Sequence, residues 1–268
     1  MADPTPEELE EIRNTLAEDR WNLLPVVIGA RVRKEREKKE WSQKSAAERF
    51  ELSITQVQVM EYLTTRGADL NAENYYKETP LFLTARNGHT EATRLLLDRG
   101  VEVDHMDWEK RTPLQRASEN GHHIVARLLL ESRANPDAKN EYGWTSLHLA
   151  SRRGQRDVVQ VLLKLRADIN IQNDFGRTPL HMASQQGHDK VVELLLSHKA
   201  KMDIPEARGE TALHLAAYYG HRRVAKQLVR SGANARIANN RNRQALDLAR
   251  SENHRDLVQL LEAETRVQ

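Results

Sequence analysis

Histidine is the residue type in this chain best suited to chemistry, and its spacing limits what it can do. His148, His181 and His214 recur every 33 residues, and His89, His122, His188 and His221 each follow a glycine. Imidazole is the commonest protein metal ligand and a general base. Shared zinc ligation needs every ligating nitrogen within about 2 Å of one ion. Equivalent side chains of stacked helices lie about 10 Å apart, so the 33-residue set cannot close on one metal. His122 and His123 are adjacent, but cysteine is absent from the whole sequence. That absence also excludes disulfides, thiolate zinc sites and a cysteine nucleophile. His188-Asp189 has no serine on a strained elbow beside it, because Ser184 falls on a repeat helix. No glycine-rich phosphate loop is present. His105 and Asp107 flank a variable turn and are the remaining pair that could join a small site, while His198 and His254 are isolated. No catalytic residue, metal or cofactor is expected.

The spacing itself is the larger signal. Thr79-Pro80-Leu81-Phe82, Thr112-Pro113-Leu114-Gln115, Thr145-Ser146-Leu147-His148, Thr178-Pro179-Leu180-His181 and Thr211-Ala212-Leu213-His214 follow one another at 33 residues. Gln244-Ala245-Leu246-Asp247 is a worn sixth copy in register. Such a period marks a solenoid whose units pack only on their neighbours. Within one unit, Asn140 and Gly143 suit a tight turn. Thr145 suits a helix N-cap, where sister copies follow it with proline at the first helical position. Leu147 and Ala150 face inward, Gly154 ends the first helix, and Val158, Val161 and Leu162 form the apolar stripe of a second helix. A loop such as Arg166-Ala167-Asp168 leads to the next unit.

This succession closely resembles the ankyrin repeat family. The resemblance covers roughly residues 71–265, and a degenerate capping unit holds register at 46–71. It implies an all-α fold: an ankyrin-repeat solenoid of antiparallel helix pairs with projecting β-turn fingers, stacked into a curved L. It implies further that the histidines hydrogen-bond within the turn network, and that fingers and first helices form a concave face that binds other proteins. The expected division is 1–45, an N-terminal helical extension or the remnant of a neighbouring domain, and 46–268, the repeat domain.

Residues 1–45 are not covered by the resemblance. Residues 7–30 read as helical up to Pro25, residues 31–40 as a solvated helix of mixed charge, and Trp21 and Trp41 as anchors on the first repeat. The acidic start lacks the pattern of a secretory signal, and no run of 18 apolar residues exists. The net charge of +2 does not call for a nucleic-acid partner. The expected protein is intracellular, cytoplasmic rather than nuclear, monomeric and not inserted in a membrane. At the C-terminus, Ile237, Leu246, Leu248, Val258 and Leu260 are expected to close the core.

Function should lie in what varies between units. Thirteen aromatic residues are present, and eight fall on turns or first-helix ends: Tyr75, Tyr76, Trp108, Tyr142, Trp144, Phe175, Tyr218 and Tyr219. Aromatic rings beside arginines are the usual material of interface hot spots. With Arg111, Arg152, Arg153 and Arg177 they form the predicted partner-binding strip. An acidic or phosphorylated peptide would suit it, since the guanidinium fork pairs with both groups. The leading expectation is a non-enzymatic interaction module. The alternatives are an enzyme or small-molecule binder using the groove, and a structural module of a larger protein.

Overall fold

The computed structural model describes residues 67–265. The N-terminal extension with Trp21 and Trp41, and the capping unit up to residue 66, lie outside the described residues.

Twelve helices run in pairs through the described residues. They are α1 (Pro80–Asn87), α2 (Thr90–Asp98), α3 (Pro113–Asn120), α4 (His123–Glu131), α5 (Ser146–Arg153), α6 (Arg156–Lys164), α7 (Pro179–Gln186), α8 (Asp189–Ser197), α9 (Ala212–Tyr218), α10 (Arg222–Arg230), α11 (Ala245–Ser251) and α12 (Arg255–Thr265). Each odd helix packs on the next odd helix, each even helix on the next even one, and the two members of a pair on each other. The result is a solenoid of antiparallel helix pairs in two layers.

Local chemistry sets where each pair begins and turns. Thr79, Thr112, Thr145, Thr178 and Thr211 precede the first helices in extended conformation. Proline occupies the start of α1, α3 and α7, where its missing N–H would have had no intrahelical partner. Gly154 closes α5 at φ +74°, a left-handed conformation that a Cβ disfavours.

The core is built of columns at the repeat spacing. Leu81, Leu114, Leu147, Leu180 and Leu213 of the first helices are buried, as are Leu96, Leu129, Leu162, Leu195, Leu228 and Leu261 of the second. Each contributes roughly 2 kcal/mol through removal of apolar surface from water. Ala117, Ala150, Ala183, Ala216 and Ala249 are fully buried and let the helices approach closely. At the C-terminal end Leu248, Leu257 and Leu261 are buried, while Leu246, Val258 and Leu260 pack partly covered against the core. Leu246, Leu248, Val258 and Leu260 all contact the core, and Leu257 and Leu261 are the further, fully buried positions of α12.

Among the described residues no strand forms, and one antiparallel bridge joins Ala238 to Gln244. The segments between pairs are hydrogen-bonded turns: Gly143 N–H donates to Asn140 O at 2.9 Å, and Asn140 N–H to Trp144 O at 3.0 Å. Single bonds tie each turn to the next, from Trp108 N–H to Tyr76 O, Asp174 N–H to Tyr142 O and Ala207 N–H to Phe175 O. No helix of the described residues is long and apolar enough to cross a membrane.

Candidate interaction surface

The histidines belong to the framework. His148 Nδ1 accepts from Thr145 N–H at 3.2 Å and lies 2.9 Å from Thr145 Oγ1, while Nε2 lies 2.8 Å from Arg177 O in the next unit. A backbone N–H can only donate, so Nδ1 is the acceptor and Nε2–H the donor, which makes the ring neutral. His181 repeats this between Thr178 and Glu210 O, and His214 between Thr211 and Arg243 O. Burial away from water pushes the His148 and His181 imidazoles down to about 4, and lowers His214 in the same direction. Gln115 does the same work with an amide: its Oε1 accepts from Thr112 N–H and its Nε2 donates to Trp144 O and Ala138 O. Phe82, at the equivalent place, is wholly buried and supplies volume alone.

The second histidine set clamps neighbouring units. His122 Nε2 donates to Arg86 O, His188 to Arg152 O, His221 to Gln185 O and His254 to Tyr218 O, each across 36 residues. Each ring lies on the helix-ending glycine of the unit before. A Cβ on Gly187 would stand 2.5 Å from His221 Nδ1. Among the described residues no group of three or more His, Asp or Glu is placed to hold a metal ion. His105 faces Glu73, Glu102 and Lys77 O, whereas Asp107 is buried and accepts from Glu109 N–H, Arg111 N–H and the Arg111 guanidinium. The two do not form a site.

Asp107 also shows that each turn has an inner and an outer part. Asn74, Asn140, Asn173 and Asn239 likewise accept two backbone N–H groups of their own turns through Oδ1. These first residues of the turns are therefore structural. Their tips are open. Tyr75, Tyr76, Trp108, Tyr142 and Phe175 are exposed on turns, and Tyr218 and Tyr219 are exposed at the C-terminal end of α9. Tyr75 and Tyr76 meet edge to face at 5.3 Å, and Tyr76 and Trp108 lie 6.2 Å apart. Tyr218 and Tyr219 pair at 5.0 Å, and Tyr219 stacks on His221.

Trp144 departs from the expectation. It is half-buried, its Nε1 is shielded from solvent without an acceptor, and Arg152 covers the ring with Cζ 5.0 Å from the centroid. The reason is positional. In three units the residue before the cap threonine folds back against the first-helix residue eight places on: Glu78 against Arg86, Trp144 against Arg152 and Arg177 against Gln185.

Sequence reading also missed the partners that neutralise the arginines. Arg111 pairs with Asp107 and Glu109, Arg153 with Glu119 at 2.7 Å, and Arg177 with Glu206 at 3.4 Å. Glu119 takes a second arginine, Arg116, and the two hold its carboxyl below the usual range against the opposing effect of burial. Gln185 accepts from Arg177 and donates to the Tyr219 hydroxyl. Among the four predicted arginines, Arg152 alone has no ion pair within the described residues.

An open groove between α4 and α6, about 460 Å³, is lined by Arg127, Glu131, Asp157, Val161, Lys164 and Leu165. Two cations, Arg127 and Lys164, two acids, Glu131 and Asp157, and His123 share its lining.

A family model described as ankyrin repeats (3 copies) matches residues 52–140, 104–173, 126–207, 147–239 and 200–268. Comparison with curated proteins returns no match.

Proposed function

The chain belongs to the ankyrin repeat family, whose modules generally bind other proteins across a concave face, and on that premise we propose that this one is a non-enzymatic interaction module. Its turns act as fingers, and with the first-helix ends they form the face that receives the partner. The observation that carries this reading is the placement of exposed apolar surface. Of the ten large hydrophobic side chains exposed in the described residues, only Ile124 and Leu165 belong to the second-helix layer. The others lie on turns, loops and the ends of first helices. Exposed rings on the turn side of an array built of aliphatic cores are not part of those cores, and such rings dominate interface energetics.

The partner is a protein or peptide, and a segment with an acidic or phosphorylated group suits the arginine-bearing centre. The contact strip comprises Trp108, Tyr142, Phe175 and Arg152, flanked by Tyr75–Tyr76 and Tyr218–Tyr219. A Trp108→Ala/Tyr142→Ala/Phe175→Ala variant tests this. Peptides selected on the intact chain should lose binding by 100-fold or more on roughly three hot-spot deletions, with the melting curve of the variant unchanged. Retention of full affinity would place the recognition site elsewhere.

A further inference from the structure

Two positions recur in different chemistry along this face. In the first described pair they hold Glu78 and Arg86, whose ion pair is internal. Two units on they hold Trp144 and Arg152, so the same guanidinium position rests on an indole instead of a carboxylate. The lateral neighbours do not compensate. Glu119, one unit before Arg152, is engaged by Arg116 and Arg153, and Gln185, one unit after, by Arg177 and Tyr219. Arg116 also lies over a ring, 5.9 Å from Phe82, but its charge is matched by Glu119. Among the described residues Lys77, Lys110, Arg208 and Arg241 lack ion pairs too, yet they stand on exposed turns with no ring contact to hold them. Arg152 is thus the one of the four strip arginines that is held against a ring and, among the described residues, left without a counter-charge; Arg243, at the repeat position of Trp144, also lacks an ion pair there but rests on no ring.

Resting on the interaction-module reading above, we propose that Arg152 is the anchor for a single Asp or Glu side chain in an extended segment of the partner. Three features select that group. A guanidinium that already rests on Trp144 is partly restrained before binding, and its planar fork matches a carboxylate bidentately. Arg177 is matched by Glu206, and Arg116 and Arg153 share Glu119, so Arg152 is the guanidinium here with no carboxylate of its own. A carboxylate matches one charge, whereas a phosphate carries about −1.5 to −2 and needs more than one cation. Exposed rings stand on both sides, Trp108 one unit before and Phe175 one unit after. The partner chain therefore continues in both directions, which calls for a side-chain rather than a terminal carboxylate. Units stacked about 10 Å apart span roughly three residues of extended chain. The acid should sit about three residues from an apolar residue on each side.

The test is selection of linear twelve-residue peptides displayed against the full chain, followed by anisotropy titration of labelled winners. Winners should carry Asp or Glu with flanking apolar residues. Arg152→Met keeps the packing on Trp144 and should weaken binding about 10-fold or more, as should Asp→Asn or Glu→Gln in the peptide. The two changes together should weaken it no further than either alone. Arg153→Met should stay within about twofold, since that charge is already matched. Arg152→Lys, which keeps charge but not the fork, should recover only part of the loss. The proposal is overturned if Arg152→Met leaves affinity within about twofold, or if binding requires a phosphate or a free C-terminal carboxylate. Peptides lost on Trp108→Ala/Tyr142→Ala yet indifferent to Arg152→Met sink this inference and leave the broader reading standing. Peptides indifferent to all three, or no peptide recovered, count against both.

Discussion

A column of histidines at 33-residue spacing and a row of aromatic rings, one or two to a turn, run along the same stack, yet they are treated in opposite ways. His148, His181 and His214 are buried, and both ring nitrogens have partners inside the chain. Trp108, Tyr142 and Phe175 are exposed, and ring contacts among these three are not formed. The difference separates residues that hold units together from residues that units hold out. A buried polar ring costs free energy unless each polar atom is paired, so the first column must be complete within the chain. An exposed ring has no such constraint until something covers it.

Acid should break the framework column most strongly. The folded-state values of about 4 for His148 and His181 lie below the unfolded value of 6.5. Between those values the unfolded chain binds more protons, so this stability is fully present above pH 6.5 and lost as pH falls towards 4. The loss approaches about 3 kcal/mol per ring, readable as falling urea midpoints between those pH values. A His148→Gln/His181→Gln variant sharpens the point. Gln115 already fills the equivalent place with the same polarity of hydrogen bonds. The variant should cost under about 1 kcal/mol at pH 7 and remove most of the acid sensitivity.

The glycine clamp comes next in size. Gly187→Ala should cost about 3 kcal/mol, because it adds a strained φ of +74° to a collision with the His221 ring. Gly100→Ala bears a similar φ of +71° but meets nothing within 4 Å. It should cost only about 1 kcal/mol. Equal losses in the two variants would show that the histidine contact contributes nothing.

A gain of similar size is available at Lys110, which holds φ +57° where Gly143 and Gly176 stand in other turns. Lys110→Gly should stabilise by up to about 1 kcal/mol, measured by thermal unfolding. The smallest effect on stability belongs to the face itself. Tyr142→Ala and Phe175→Ala should each change it by no more than about 0.5 kcal/mol. A larger loss would move those rings from the surface column to the framework column.

Features governed by near neighbours were legible in the sequence. Thr145 caps α5, Gly154 ends it in the left-handed region, and Val158, Val161 and Leu162 line the buried side of α6. Each follows from helix geometry over a few residues, repeated in register. The charges were not legible in that way. Arg153 meets Glu119 across 34 residues, one unit plus one position, and only the rotation between stacked units makes that pair adjacent. Trp144 looked like another tip aromatic because its fold back against Arg152 depends on the path of the chain into the helix.

The sequence by itself determined the solenoid, the caps and the separation of framework from variable positions, because the same short-range constraints recur in every unit. The tertiary structure alone decided which variable residues remain available, since charge is cancelled between side chains of adjacent units. Four arginines look equivalent as letters. Arg111 is matched within its own turn, Arg153 and Arg177 by acids of neighbouring units, and Arg152 is left over an indole, unmatched among the described residues.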